Sequence, residues 1–163
     1  MARALLVGCG CRGRELGIRL LADGWQVRGT TRRREHADSI GAAGIEPALA
    51  DPQHVGTVLE CIEDVSVVAW LLGSARADPE VLAVIHGPRL ERLLEELVDT
   101  PVRGFVYEAA GPVKAHHLAD GARIVGTAAE RWRIPVEVLE DDPTDWRGWT
   151  DGAVASFRRL VQA

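Results

Sequence analysis

The stretch Arg3-Ala-Leu-Leu-Val-Gly-Cys-Gly-Cys-Arg-Gly13 decides the fold of this 163-residue chain. An apolar run stops at Gly8-x-Gly10-x-x-Gly13 and passes into a helix-like segment, Arg14 to Ala22. That glycine spacing is weak evidence alone. Set directly between a strand and a helix it is stronger, because each glycine then has a mechanical task. Gly8 permits the tight turn, Gly10 lets backbone approach a phosphate without a Cβ in the way, and Gly13 lets the helix pack close on the strand. Gly17 extends that small face by one turn. The helix N-terminus offers unpaired N–H groups and a positive dipole end. Gly8, Gly10, Cys11, Arg12 and Gly13 are therefore read as the pyrophosphate cradle of a dinucleotide site. The plainer reading is a glycine-rich corner between strand and helix.

Outward from this turn, strand-like apolar runs recur at about 3–8, 25–30, 45–49, 65–72, 102–108 and 135–139, with helical stretches between them. The run Val65-Ser-Val-Val-Ala-Trp-Leu-Leu72 is nearly all apolar, as a central parallel strand covered on both faces requires. From Pro88 to Val98, residues Leu90, Leu93, Leu94, Leu97 and Val98 form one helical stripe. Ala122, Val125, Ala129 and Trp132 mark a similar face, and Val154, Phe157 and Val161 another. Asp51-Pro52 and Asp78-Pro79 read as helix caps followed by an N1 proline. Alternating strands and helices imply βαβ units with right-handed crossovers. The expected architecture is α/β: a doubly wound, six-stranded parallel sheet of order 3-2-1-4-5-6 in three α/β/α layers, filling residues 1–163 as a single domain. In such sheets ligands bind at the carboxyl ends of the strands, where the order reverses.

Composition narrows the function classes. The net charge of −5 argues against a general nucleic-acid binder, and no apolar run reaches the roughly 20 residues of a membrane span. The chain enters its first strand without a leader-like apolar segment, so a cytoplasmic location is expected. Cys9, Cys11 and Cys61 make no disulfide framework. Cys9-x-Cys11 lacks a second ligand pair and reads as small side chains in a crowded turn; no metal site is expected. Lys114 is the only lysine, and asparagine is absent.

The second strand bears on the choice of dinucleotide. An NAD site normally ends this strand in an acid that accepts from the ribose 2′-hydroxyl. Here Gln26-Val-Arg-Gly-Thr-Thr-Arg-Arg-Arg34 has no acid before Glu35. Hydroxyls at Thr30 and Thr31 followed by Arg32, Arg33 and Arg34 suit a 2′-phosphate instead, since guanidinium groups bind phosphate oxygens in pairs. Three cations opening a helix also oppose its dipole, which hints at a ligand. NADP is expected over NAD, with Thr31, Arg32 and Arg33 as contacts; a solvated basic turn is the alternative.

The segments Leu5–Gly13, Val27–Arg32, Trp70-Leu-Leu-Gly73 and Gly104-Phe-Val-Tyr-Glu-Ala-Ala-Gly111 resemble the atypical or extended short-chain dehydrogenase/reductases, in particular the epimerase-like and NmrA-like proteins. The resemblance implies a Rossmann dinucleotide-binding fold in which Leu71, Leu72 and Gly73 pass along the cofactor. It also implies a serine after the fifth strand and a Tyr-x-x-x-Lys pair, and here the chain departs from it. Ala109 and Ala110 stand where the serine belongs. Tyr107 is the only tyrosine and has Gly111 four residues on, so Lys114 has no tyrosine to serve. An adenine-contacting acid at the end of the third strand is also missing, with Ala48 or Leu49 in its place and Asp51 read as a cap.

Other titratable residues follow the strands: Ser74, Arg76 and His86 after the fourth, Glu108, Lys114, His116 and His117 after the fifth, and Asp141 and Asp142 after the sixth. Glu108 is the candidate catalytic residue, a carboxylate beside the expected nicotinamide position; its alternative is an exposed strand end or a surface ion pair. His116-His117 reads as a surface helix start and Asp141-Asp142-Pro143 as a turn. Three functions stay open: an NADP-dependent oxidoreductase with a non-standard site acting on a small molecule, an NADP-sensing or regulatory protein with a protein partner, and a Rossmann-shaped scaffold without cofactor. Five tryptophans in a chain poor in other aromatics point to a homodimer built with Trp146 and Trp149.

Overall fold

The computed structural model describes residues 2–162. Six parallel strands form one sheet in the order β3-β2-β1-β4-β5-β6, the doubly wound Rossmann arrangement. They are β1 (Arg3–Val7), β2 (Gln26–Thr31), β3 (Glu46–Leu49), β4 (Val67–Trp70), β5 (Gly104–Glu108) and β6 (Val136–Leu139). The helices are α1 (Cys11–Ala22), α2 (Ala37–Ala42), α3 (Val55–Leu59), α4 (Pro79–Ile85), α5 (Pro88–Leu97), α6 (Ala115–Trp132) and α7 (Trp146–Gln162). None is long and apolar enough to cross a membrane, among the described residues.

The period of two along each central strand sorts its side chains into two cores. Leu5, Val7, Val68, Trp70, Phe105 and Tyr107 face one layer, where Leu90, Leu93, Leu94 and Leu97 of α5 and Val125 of α6 meet them. Ala4, Leu6, Val67, Ala69 and Val106 face the other, against Leu16 and Leu20 of α1 and Ala153, Val154 and Phe157 of α7. Every residue of β4 and β5 is buried. Trp25, at the turn into β2, meets Phe157 edge to face with ring centroids 5.3 Å apart, tying the first βα unit to the last helix.

A buried polar pair sits inside the α5/α6 layer. The Leu72 carbonyl can only accept, so His86 Nε2–H donates to it at 3.0 Å; Nδ1 then accepts from the Tyr107 hydroxyl at 2.7 Å. Burial pushes the His86 imidazole down and the Tyr107 phenol up, so both stay neutral.

Several local expectations shift. Helix α1 begins at Cys11, not Arg14. Asp51 opens a turn rather than a helix: its carboxylate accepts from the Gln53 N–H at 3.0 Å, and α3 starts only at Val55. A short Asp side chain bonds its own backbone two residues on as readily as it caps a helix. Asp78 and Pro79 do open α4. On α6 the buried residues are Leu118, Gly121, Ile124, Val125 and Ala128, about one residue round from the expected stripe, because Gly121 receives the Tyr107 ring. Val161 is half exposed. Trp149, expected with Trp146 at an interface, is 1 % exposed and belongs to the core, whereas Trp146 is 52 % exposed.

A methyl group at position 121 would overlap the Tyr107 hydroxyl, which is already held by His86. Gly121→Ala should therefore lower stability by about 1–3 kcal/mol, the usual effect of overpacking. Urea unfolding followed by far-UV circular dichroism checks this; a midpoint equal to that of the parent would refute it.

Candidate functional site

A cleft of about 560 Å³ opens at the carboxyl ends of the strands, where β1 is flanked by β2 on one side and β4 on the other. Its floor is the glycine turn. Gly8 has φ +89°, a conformation L side chains rarely adopt. A Cβ there would also lie 2.7 Å from the Leu71 carbonyl oxygen. Thr30 supports the turn: its hydroxyl accepts from the Gly8 N–H at 3.2 Å, and its carbonyl accepts from the Cys9 N–H at 3.0 Å. The Thr30 hydroxyl accepts in this turn, and its own O–H stays available as a donor at the cleft. Cys9 points inward against Gly29, and burial pushes its thiol up to about 12. Cys11 is exposed in the cleft wall, so the two cysteines do not face one another.

Gly10 differs from its neighbours. A Cβ built on it meets nothing within 4 Å, so it faces open cleft. It is also the N-cap of α1, and no side chain caps that helix. The first N–H groups of α1 thus lack intrahelical partners and border the space beside Gly10.

On the β2 side, Thr31, Arg32 and His36 line the cleft, followed by Ala50, Asp51 and Gln53 after β3. Arg33 does not line it; its backbone N–H donates to the Thr31 hydroxyl at 3.1 Å. Asp51 does line it, two residues beyond the end of β3. Its adjacent proline made it look like a cap. On the β4 side the wall is Leu71, Leu72, Ser74, Arg76, Val81 and Ile85. Gly73 lies behind that wall, where a Cβ would overlap the Ala110 carbonyl. His86, Lys114, His116, His117, Asp141 and Asp142 all lie off the cleft.

Glu108 is at the far end of the cleft and 1 % exposed. Neither an exposed strand end nor an ion pair describes it. Oε1 accepts from the Gly73 N–H at 2.8 Å and Oε2 accepts from the Trp149 indole N–H at 2.8 Å. Burial raises its carboxyl, and these two donors together with nearby Arg12 hold it back. Trp149 reaches the site from α7. Nothing near it in sequence marks it as part of a site, because its partner lies 41 residues away.

Arg12 leaves the first turn of α1 and crosses to β4, where it donates to the Ser74 hydroxyl. Its guanidinium carbon lies 5.7 Å from the centre of the Trp149 ring. Its Nε is buried and has no partner among the described residues.

No protein-family model and no curated protein match this chain. Solved structures do. A candidate NAD-dependent epimerase/dehydratase from Bacillus halodurans superposes with a TM-score of 0.73 at 16 % identity, over 87 % of this chain and 71 % of that one. UDP-glucose 4-epimerase from Thermotoga maritima gives 0.70 at 12 % identity, over 85 % and 54 %. Triphenylmethane reductase from Citrobacter sp., solved with NADP(H), gives 0.64 at 20 % identity, over 85 % and 49 %. Identities this low establish a shared fold. The chain spans about half the length of the last two.

Trp149→Phe keeps a ring in place but removes the donor to Glu108 Oε2. It should destabilise the fold by about 1–3 kcal/mol, as for other buried acceptors left unpaired. The loss should also depend on pH. A carboxyl raised further in the folded state binds protons more readily than the unfolded chain does, so stability falls as pH rises. The deficit should therefore shrink on acidification, as Glu108 takes up a proton, and widen towards neutral pH. Denaturant titrations at a series of pH values check this; a deficit independent of pH would refute it.

Proposed function

We propose that this chain binds a nicotinamide dinucleotide in the cleft and prefers NADP to NAD. The observation that carries the reading is the conjunction at the sheet's reversal point: a positive-φ Gly8, an open Gly10 and an uncapped α1. Together they form a concave, donor-lined place for a diphosphate. Gly8, Gly10, Cys11, Arg12 and Gly13 line that end of the cleft and Leu71 and Leu72 its continuation; on this reading Asp51, which also lines the cleft, would accept from the adenine amino group. The likeness to proteins described as binding NAD(P) supports the same reading. Preference for NADP rests on Arg32 and His36 at the β2 end, with no carboxylate in β2 or before Glu35 to receive a 2′-hydroxyl.

The bound nicotinamide would supply hydride transfer; this chain's residues supply little proton transfer beside it. Ala109 and Ala110 carry no hydroxyl, the Tyr107 hydroxyl donates to His86 inside the core, and both Glu108 oxygens already accept from fixed donors. These commitments favour a protein that senses or carries NADP over an oxidoreductase of the usual short-chain type.

Thermal-shift titration with NAD, NADH, NADP and NADPH tests the reading, since a ligand at 100 times its dissociation constant stabilises by about 2.7 kcal/mol. NADP or NADPH should give the larger shift. Gly10→Asp should abolish all four shifts yet leave the melting temperature of the free protein near that of the parent, because Gly10 has φ −84° and its Cβ direction is open. No shift with any dinucleotide in the parent would leave the scaffold reading.

Cofactor choice is tested separately. Arg32→Ala should weaken NADP by roughly tenfold, one decade of binding, with NAD changed by less than about twofold, since the arginine then reads a group that NAD lacks. Arg33→Ala should leave both nearly unchanged. Equal losses for the two cofactors would show only a general basic surface, screened by salt.

A further inference from the structure

The cleft is one continuous space whose two ends differ in charge. Arg32 and His36 stand at the β2 end, with Asp51 after β3. At the opposite end are Arg12 and Arg76, with Glu108 as the only carboxyl among the described residues lining that end. The two guanidinium charges are permanent. Burial opposes the negative one: Glu108 is 1 % exposed, and its carboxyl is pushed up.

Arg12 dominates the field at that end. Its backbone belongs to the glycine turn, but its side chain crosses the crevice between β1 and β4 and donates to the Ser74 hydroxyl. It is half-buried, so water and salt screen it less than they screen the exposed Arg76. Neither arginine makes an ion pair among the described residues. Glu108 lies beside Arg12 but turns Oε1 to the Gly73 N–H and Oε2 to the Trp149 indole N–H, each at 2.8 Å. The Arg12 guanidinium lies over the Trp149 ring, 5.7 Å from its centre. An indole face attracts positive charge, and here Arg12 already occupies one against any aromatic cation entering the cleft.

A nicotinamide ring carries a positive charge when oxidised and none when reduced. With a 2′-phosphate at Arg32 and the diphosphate at the glycine turn, the nicotinamide comes to the Arg12 end. Resting on that reading, we propose that Arg12 makes the cleft selective for the redox state of the dinucleotide, binding the neutral reduced ring in preference to the cationic oxidised one. Arg12 determines this specificity through its charge rather than through a bond to the ring. The selectivity resides in the nicotinamide half. It therefore applies to NADH over NAD as well as to NADPH over NADP. A protein built this way reads how reduced the dinucleotide pool is.

Calorimetric titration of the parent with NADP, NADPH, NAD and NADH tests the proposal. The reduced member of any pair that binds should do so about tenfold more tightly than the oxidised member, one decade of affinity. Arg12→Met keeps an unbranched stem and removes the charge. It should bring the two members within about threefold, chiefly by tightening the oxidised one. Arg32→Ala should weaken NADP and NADPH alike and leave their ratio unchanged, because it acts at the other end of the cleft. Should Arg12→Met fail to fold, Arg12→Gln, neutral and still able to donate to Ser74, takes its place with the same expected loss of preference. The proposal is overturned if the parent binds both members equally or the oxidised one more tightly. It is also overturned if the preference survives intact in the neutral variant, or if Arg32→Ala removes it. The absence of any isotherm in the parent is a separate result: it removes the dinucleotide reading and this proposal with it, whereas binding without redox preference removes this proposal alone.

Discussion

A carboxylate buried at the end of a central strand is tolerable only when its oxygens are met by donors. Glu108 satisfies that condition by drawing on two distant segments, the backbone of the β4 loop at Gly73 and the indole of Trp149 on α7. One side chain thus fastens the two strand ends that border the cleft to the last helix of the chain. The fastening also brings backbones close together: a Cβ on Gly73 would overlap the Ala110 carbonyl, and one on Gly111 the Gly73 carbonyl. At the far wall of the cleft those strand ends are packed backbone against backbone.

The near wall depends on small residues in the same way. Gly17 of α1 rests on Ile45, and Gly29 of β2 leaves 2.6 Å between a would-be Cβ and the Cys9 sulfur. Helix α1 is therefore pressed onto β2 and β3, which aims its uncapped end at the middle of the cleft. Gly10 alone in the turn has open space around it, whereas Gly8 and Gly13 are closed in by neighbouring atoms.

Charge is distributed unevenly along the cleft. Arg32 and His36 mark one end, Arg12 and Arg76 the other, with backbone donors between them and Asp51 on the β3 side. At the end of β5, Ala109 and Ala110 carry no hydroxyl, and the Tyr107 hydroxyl is turned into the core towards His86.

The linear chain determined the order of its elements. A continuous apolar run makes a strand buried on both faces, a 3.6-residue stripe makes a helix, and glycines between them make the turn, all through interactions among residues a few positions apart. That local character made the six strands, their doubly wound order and the glycine loop legible, and it placed Arg32 at the end of β2. What tertiary structure alone decided was every relation between distant segments. Trp149 became a wall of the cleft, and Glu108 became a fastener rather than a free carboxylate. Tyr107 was withdrawn to His86, and Arg12 swung across to Ser74. Whether Asp51 would cap a helix or face the cleft was decided by where α3 begins. Each outcome turns on which donor meets which acceptor across the fold, and such a pairing leaves no periodic trace in the sequence.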